Sequence, residues 1–253
     1  MVSPTNSSVD GRPSPSAGTA RPQPVIFCWS GGKDSALALA ELRLRPDVDV
    51  VALVTTFSEG YDRVCMHGVR RALLQQQAAS IGLPLHEVWL SQGASNEEYE
   101  SKIERAFRSF QTDGVRTVAF GDIFLEDLKA YRDRHLARMD LTGLYPIWKR
   151  DSRALIGQFV REGWRAVLTC IDASVLPDAF AGREIDGRFA ADLPGNVDPC
   201  GENGEFHSFV FDGPIFREPI AFNLGATRRD GRFFFRDLVP ADASAPRERS
   251  RNL

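Results

Sequence analysis

One short segment concentrates residues that can hold an anion. Residues 30–35 read Ser-Gly-Gly-Lys-Asp-Ser and follow an apolar run at residues 25–29 that is typical of a buried strand. Helix formers follow at residues 36–44, so the segment stands where a strand turns into a helix. Glycines let the backbone approach an anion, a helix start offers free N–H groups, and lysine adds positive charge. The pattern predicts a pyrophosphate cradle formed by Ser30, Gly31, Gly32, Lys33, Asp34 and Ser35.

The order of these residues separates the segment from two other phosphate-binding loops. A Walker A loop needs Ser or Thr directly after the lysine, where Asp34 stands here, and a GxGxxG pattern is absent from the segment. The segment matches SGGxDS and resembles the signature of the PP-loop ATP pyrophosphatases, which implies ATP as the ligand. Asp34 is a candidate ligand for Mg²⁺ or a cap for the next helix. The alternative is an ordinary glycine-rich turn with a capping serine.

Polar residues also stand at or near the ends of later strand-like runs, the edge at which open α/β sheets bind their ligands. Thr55 and Thr56 close the run at residues 48–57, where they contact adenine or ribose or serve only as β-branched strand residues. His67 precedes a predicted helix and is either a nucleotide or substrate contact or a helix cap. At each of these positions the sequence alone leaves open both a ligand contact and a structural role.

The run at residues 117–120 ends in Gly121 and Asp122. Asp122 is placed to hold Mg²⁺ or a substrate amine, because carboxylate oxygens are the ligands that this ion prefers. The sequence therefore predicts Gly121 and Asp122 as part of the nucleotide site, with Asp34 and Asp122 as the metal-ligand candidates.

A second segment, residues 198–207, is equally rich in reactive side chains and reads Asp-Pro-Cys-Gly-Glu-Asn-Gly-Glu-Phe-His. Carboxylates and a histidine on one loop could hold Mg²⁺, bind ammonia, or act as acid and base. The alternative is a tight hairpin loop before a strand at residues 206–211, and composition favours neither. The catalytic candidates in this segment, beside Lys33 and Asp34 of the first, are Glu202, Asn203, Glu205 and His207.

Strand-like and helix-like runs alternate from residue 25 to residue 171, which favours a doubly wound parallel sheet with helices on both faces. From about residue 176 glycine and proline become frequent, and strands are predicted at residues 206–211, 215–223 and 232–238. The predicted fold class is thus α/β, Rossmann-like, with a small C-terminal α+β domain. The predicted divisions are a disordered tail at 1–24, an ATP-binding domain at 25–175, the small domain at 176–239 and a loose tail at 240–253.

Bulk composition limits the classes of function. The chain has 253 residues, a net charge of -3 and a sequence pI near 5.9, so no global basic field exists to attract nucleic acid. Its four cysteines form no CxxC pair, which indicates reduced thiols in a cytoplasmic protein. No apolar run is long enough to cross a membrane.

Several segments together resemble one family, the diphthine–ammonia ligases. The resemblance covers about residues 25–223, and its most specific part is the late Gly-Glu-Asn-Gly-Glu-Phe-His segment with the Asp-Gly-Pro-Ile-Phe that follows. It is carried by residues 30–35, 66–68, 121–122, 170–172, 201–207 and 212–216.

The resemblance implies an adenine-nucleotide α-hydrolase (HUP-type) domain and an ATP-dependent amidation. A substrate carboxylate attacks the α-phosphate, pyrophosphate leaves, and free ammonia then displaces AMP to give the amide. Within the family the carboxylate belongs to diphthine, a modified histidine of a translation elongation factor. ATP and Mg²⁺ are the implied cofactors, and the sequence is compatible with a homodimer.

Two other classes of function compete with this one. Several PP-loop enzymes modify tRNA, but the acidic pI, the missing CxxC pairs and the lack of a basic appended domain disfavour that class. The other is a non-catalytic nucleotide-binding module, in which residues 30–35 bind ATP without turnover.

Overall fold

The computed structural model describes residues 21–65 and 68–241, and its first sheet is built on five parallel strands. Their order is β4-β2-β1-β5-β6, and the short β3 pairs antiparallel with the end of β2. The strands are β1 (Gln23–Cys28), β2 (Val48–Ser58), β3 (Arg63–Val64), β4 (Leu85–Leu90), β5 (Thr117–Ala119) and β6 (Thr142–Leu144).

Helices cover both faces of this sheet. Val25 and Phe27 of β1 belong to one apolar cluster and Ile26, between them, belongs to the other, as the alternation of side chains along a strand requires. The first cluster includes apolar side chains of α1, α2 and α5, and the second those of α3 and α4. The helices are α1 (Lys33–Arg43), α2 (Arg71–Ile81), α3 (Asn96–Gln111), α4 (Glu126–Ala137), α5 (Ser152–Arg161) and α6 (Phe189–Asp192), with a 3-10 helix at Asp178–Phe180.

The second sheet is antiparallel throughout and has the order β8-β7-β10-β9. The predicted α/β class, a Rossmann-like doubly wound sheet with a smaller second unit, is confirmed. The strands are β7 (Arg165–Asp172), β8 (Phe206–Asp212), β9 (Phe222–Asp230) and β10 (Phe233–Pro240).

Two strand predictions are wrong in part. Residues 166–171 do form a strand, but it lies in the antiparallel sheet, and the fifth parallel strand is the three-residue β6. The error has a physical reason, since seven of the eight β7 residues are buried and a strand covered on both faces carries the same apolar run in either kind of sheet. Residues 215–221, predicted as part of a strand, form a connection containing Pro219 instead, and Arg217 there donates its N–H to the Ser80 carbonyl at 3.1 Å.

Two helices, α3 and α5, begin at residues whose side chains cap the first turn. The Ser95 side chain accepts a hydrogen bond from the Glu98 N–H, and the Asp151 side chain accepts one from the Ala154 N–H.

The first strand begins at Gln23, inside the segment predicted as a tail. Residues 1–20 and 242–253 lie outside the described residues. The predicted boundary at residue 175 falls between β7 and β8, which pair in one sheet, and the domain divisions stay a prediction. In the described part of the chain, no helix has the length and apolar character needed to cross a membrane.

Candidate functional site

The predicted phosphate loop stands where the strand order reverses. β2 lies on one side of β1 and β5 on the other, so the carboxyl ends of β1 and β5 flank the crevice in which such sheets bind ligands. Gly121 follows β5 there, and a Cβ on it would lie 2.9 Å from the Ser35 nitrogen and 3.0 Å from the Asp34 carbonyl carbon. Only glycine therefore lets the end of β5 approach the loop, which gives Gly121 a packing role beside the site.

The loop is held by its own serines and by one glycine in the left-handed region. Gly31 has φ +80°, and the Ser30 and Ser35 hydroxyls lie 2.8 Å apart. The Ser30 hydroxyl also accepts a hydrogen bond from the Gly32 N–H at 3.2 Å. α1 begins directly afterwards, and its N-cap residue is Gly32, which has no side chain to cap it. A helix start presents N–H donors and the positive end of the helix dipole, which is the basis of an anion site.

A buried glutamine braces this loop, and the sequence analysis missed it. Gln77 of α2 is 0% exposed; its Oε1 accepts a hydrogen bond from Trp29 Nε1 at 2.9 Å. Its Nε2 donates to the Gly31 carbonyl at 3.0 Å and to the Val210 carbonyl at 2.6 Å. The signal for it in the sequence is a polar residue within the apolar stripe of a predicted helix, where a buried amide needs partners.

Lys33 joins the phosphate loop to the late segment. It is 2% exposed, and its Nζ donates to Asp34 Oδ2 at 2.9 Å and to the Cys200 carbonyl. Burial lowers the pKa of Lys33, but the charges of Asp34 and other acidic neighbours raise it by more, so the amine stays protonated. Its backbone N–H donates to the Ser208 hydroxyl of β8 at 3.2 Å. Lys33 of the predicted cradle thus contacts both the late segment and strand β8 of the second sheet.

Asp34 and Asp122 are the predicted metal ligands, and, in addition to burial, the negative charge of Asp34 raises the pKa of Asp122. Burial raises the pKa of each carboxyl, against the lowering effect of Lys33 on Asp34 and of Arg132 on Asp122. Arg132 donates a hydrogen bond to Asp122 Oδ2. Asp34 Oδ1 is buried and has no hydrogen-bond partner among the described residues.

An unpartnered buried carboxylate oxygen is costly, and a cation beside it would remove that cost. The Asp34 oxygen therefore fits Mg²⁺. The described residues contain no cluster of three or more acidic, histidine or cysteine side chains able to hold a metal, so phosphate oxygens would have to complete the coordination.

Glu202 is the late-segment side chain that reaches the first sheet. Its Oε1 accepts the Ile123 N–H at 2.8 Å, one residue after Asp122. Burial raises the pKa of Glu202 to about 7, and the negative charges of Asp34 and Asp122 add to that rise, against the Ile123 N–H and Lys33. A carboxyl with this pKa can take up and release a proton near neutral pH.

Glu205 and Asn203 bond mainly to their own segment. Glu205 is 7% exposed and accepts backbone N–H groups of Asp198 and Asn203, each at 3.0 Å. The Asn203 side-chain amide donates to the same carboxylate at 3.0 Å. These contacts give Glu205 the role of a brace that shapes residues 198–205.

His207 lies on β8, opposite Cys170 of β7. Burial and, to a smaller extent, the positive charge of Lys33 together lower the pKa of His207 to about 4. The ring is neutral at physiological pH, so it can accept or donate a hydrogen bond near Lys33 without adding a positive charge.

Three predicted contacts remain, namely Thr55, Thr56 and His67. The Thr55 hydroxyl is buried and donates to the Trp29 carbonyl at 2.6 Å, so it joins β2 to the end of β1. Thr56 is half-buried at the end of the same strand. His67 lies outside the described residues. The structure therefore brings together residues 30–35, 121–122 and 202, with Thr55 occupied within the sheet.

Comparison with known families covers nearly the whole described chain. A family profile described as the diphthamide synthase N-terminal domain matches residues 23–142, and one described as the diphthamide synthase C-terminal domain matches residues 151–233. The chain belongs to the diphthamide synthase family. The family resemblance inferred from the motifs is confirmed, and the second profile includes β7 together with β8 and β9 of its sheet.

Curated relatives support the same membership at low identity. The chain is 26% identical over 234 residues to a protein of Danio rerio named diphthine–ammonia ligase, covering 80% of this chain and 88% of the relative. A Homo sapiens protein of the same name is 25% identical over 224 residues, covering 78% and 81%. A third, from Schizosaccharomyces pombe, is 25% identical over 215 residues; the match covers 78% of this chain but only 35% of that longer protein.

Proposed function

We propose that this diphthamide synthase family member is an ATP-dependent ligase that adenylates a carboxylate and then amidates it with ammonia. The acceptor that the names of the relatives favour is diphthine, which the family resemblance places on a translation elongation factor. The single observation that carries the proposal is the glycine-capped start of α1 at the sheet's switch point, with the charged Lys33 in its first turn.

In the first step, a carboxylate oxygen of the acceptor bonds to the α-phosphorus of ATP, and the bond from that phosphorus to the pyrophosphate oxygen breaks. Negative charge accumulates on the leaving pyrophosphate. The N–H groups of the loop, the Ser30 hydroxyl and the Lys33 ammonium are the groups of this chain that would stabilise that charge. Mg²⁺ held by Asp34 and Asp122 would supply further charge neutralisation when bound.

In the second step, the ammonia nitrogen bonds to the acyl carbon, and the carbon–oxygen bond to AMP breaks. The attacking nitrogen must lose a proton, because ammonia carries one hydrogen more than the amide nitrogen needs. Glu202 is the proposed acceptor of that proton, since its pKa of about 7 lets it exist as a base near neutral pH. Asn203 and Glu205 position the segment that carries Glu202, and His207 offers a neutral hydrogen-bonding group beside Lys33.

The products distinguish this reaction from other uses of ATP. The purified chain is incubated with α-labelled ATP, Mg²⁺, ammonium and an elongation factor that carries diphthine, and the labelled nucleotides are separated. We expect AMP to form together with pyrophosphate, and to depend on the elongation factor. ADP with phosphate would contradict adenylation, and tight ATP binding without any turnover would identify a nucleotide-binding module.

A further inference from the structure

A buried serine hydroxyl of the second sheet, that of Ser208, lies against the phosphate loop. Ser208 directly follows His207 on β8 and is 3% exposed. Its Oγ accepts the Lys33 N–H at 3.2 Å, although the two residues are 175 apart in the chain. A Cβ placed on Gly32 would lie 3.1 Å from the Ser208 carbonyl oxygen and 3.6 Å from its Oγ. Close backbone packing and a hydrogen bond of its own therefore both hold this hydroxyl at the loop.

The hydrogen bond from Lys33 shows on which side of the loop the Ser208 hydroxyl lies. Lys33 is the first residue of α1, and the N–H groups of a helix's first turn point out of the helix along its axis. A group that accepts the Lys33 N–H therefore lies in front of the helix start, where an anion is expected to bind. Ser30 has the same arrangement within the loop, since its hydroxyl accepts the Gly32 N–H at 3.2 Å. One serine hydroxyl from the loop and one from β8 thus face the position of the anion.

The Ser208 hydroxyl also has a proton to donate. A serine hydroxyl carries one O–H donor and two acceptor lone pairs, and the bond from Lys33 uses one of the lone pairs. Within residues 21–65 and 68–241, no oxygen or nitrogen atom accepts the Ser208 proton in a hydrogen bond. Because a buried donor needs an acceptor, a phosphate oxygen in front of the helix start would satisfy this hydroxyl. Its negative charge would make that hydrogen bond stronger than one to a neutral oxygen.

We propose that Ser208 is a further binding residue for the pyrophosphate part of ATP, and that its O–H donates to a phosphate oxygen while its Oγ keeps the Lys33 N–H. The inference rests on the proposed function, in which pyrophosphate leaves from this loop. The bond from Lys33 polarises the hydroxyl, so the two hydrogen bonds strengthen each other. Ser208 would then give β8, the strand that follows the late segment, a direct contact with the leaving group.

The competing role for Ser208 is that of a helix cap alone. A cap that accepts the Lys33 N–H withholds that donor from an anion, so its removal would leave pyrophosphate binding unchanged or make it tighter. A donor to the anion is instead lost together with the hydroxyl, so its removal weakens binding. The direction of the change in Ser208→Ala therefore separates the two roles.

Calorimetric titration of the full chain with magnesium pyrophosphate measures this direction without ATP turnover. We expect Ser208→Ala to weaken binding about tenfold or more, as for loss of a hydrogen bond to a charged group, and Ser208→Thr, which keeps a hydroxyl, to bind within about threefold of the wild type. The matched control is Ser95→Ala, because the exposed Ser95 hydroxyl also accepts a helix-start N–H at 3.2 Å, that of Glu98 in α3. This control should change pyrophosphate binding by less than about twofold, since it removes only a distant cap. Melting curves for each variant establish that the chain is folded.

Four results would overturn the proposal: no binding of pyrophosphate by the wild-type chain, unchanged or tighter binding by Ser208→Ala, equal losses in Ser208→Ala and Ser95→Ala, or a folded Ser208→Thr protein that binds as weakly as Ser208→Ala. Failure of this proposal differs from failure of the proposed function. A chain that binds pyrophosphate through Ser208 but forms no AMP would refute the ligase reaction alone. A chain that forms AMP, with pyrophosphate binding unchanged in Ser208→Ala, would refute the role of Ser208 alone.

Discussion

The phosphate loop and the late segment contain similar densities of reactive residues, but they use them differently. In residues 30–35 the anion site comes from contiguous residues, because a strand, a glycine turn and a helix start follow one another directly. In residues 198–207 the Asp198 and Glu205 carboxylates accept hydrogen bonds from their own segment, and Glu202 is the carboxylate that bonds to the loop after β5. Reactive residue types alone therefore do not identify the groups that are available for chemistry.

The two regions meet through a few contacts. Lys33 bonds to the Cys200 carbonyl, the Gly31 carbonyl accepts the Val210 N–H at 2.9 Å, and Gln77 bonds to both Gly31 and Val210. We assign nucleotide chemistry to the first region and proton transfer to the second, and the following variants test this division.

The largest effect is expected for Lys33→Met. Loss of a charge that stabilises the leaving pyrophosphate should lower the rate of AMP formation by about 10³-fold. The matched control is Lys149→Met, because Lys149 is 64% exposed and pairs with Glu126 on the surface. A folded Lys33→Met protein that retained half the wild-type rate would contradict the role given to this lysine.

Gln77→Leu should produce the largest loss of stability. It leaves Trp29 Nε1 and two carbonyls without the buried amide that they share, so we expect the free energy of unfolding to fall by about 3 kcal/mol and KM for ATP to rise. Urea unfolding and steady-state kinetics measure the two effects. Gln75→Leu, on an exposed position of the same helix where the amide bonds to Glu87, should change stability by less than about 0.5 kcal/mol. Equal effects at both positions would remove the argument that Gln77 positions the loop.

The effect of Glu202→Gln on the free energy of unfolding should depend on pH. The pKa of this carboxyl is raised from 4.5 to about 7 in the folded chain, so its contribution to stability is fully present below pH 4.5 and is lost as the pH rises through 7. The isosteric amide can still accept the Ile123 N–H but carries no charge. We expect equal unfolding free energies near about pH 4, and an increase of roughly 2 kcal/mol in the variant near about pH 8.5. A variant destabilised at the higher pH would show that the charged carboxylate is favoured in the fold.

The smallest effect is expected for Thr55→Val. Its hydroxyl donates to the Trp29 carbonyl, so its loss should cost about 1 kcal/mol of stability and leave KM for ATP unchanged. Thr56→Val at the half-buried neighbouring position is the comparison. A rise in KM for ATP with Thr55→Val alone would restore the reading of Thr55 as a nucleotide contact.

The sequence predicts what is encoded by neighbouring residues. The phosphate loop, the order of strands and helices and the caps at Ser95 and Asp151 all depend on local pattern, and the structure contains them. Local pattern does not show to which sheet the strand at residues 165–172 belongs, because a buried strand has the same apolar run in parallel and antiparallel sheets.

The contacts between distant residues could not be predicted either. Gln77 and Val210 are 133 residues apart, and Glu202 and Ile123 are 79 apart. The positions of His207 opposite Cys170 and of Cys170 opposite Phe235 depend on the pairing of three strands, and pairing depends on the whole fold.

The exchange of labelled pyrophosphate into ATP, measured with the diphthine-bearing elongation factor and without ammonia, tests the division between the two regions most directly. Exchange requires only the reversible first step, so we expect exchange by the wild-type chain, its loss in Lys33→Met, and its retention in Glu202→Gln. When ammonium is then added, Glu202→Gln should form amide at least about tenfold more slowly than the wild type, as expected for loss of a general base. Loss of exchange in Glu202→Gln to the same extent as loss of amide formation would contradict the account, because both regions would then act in the first step.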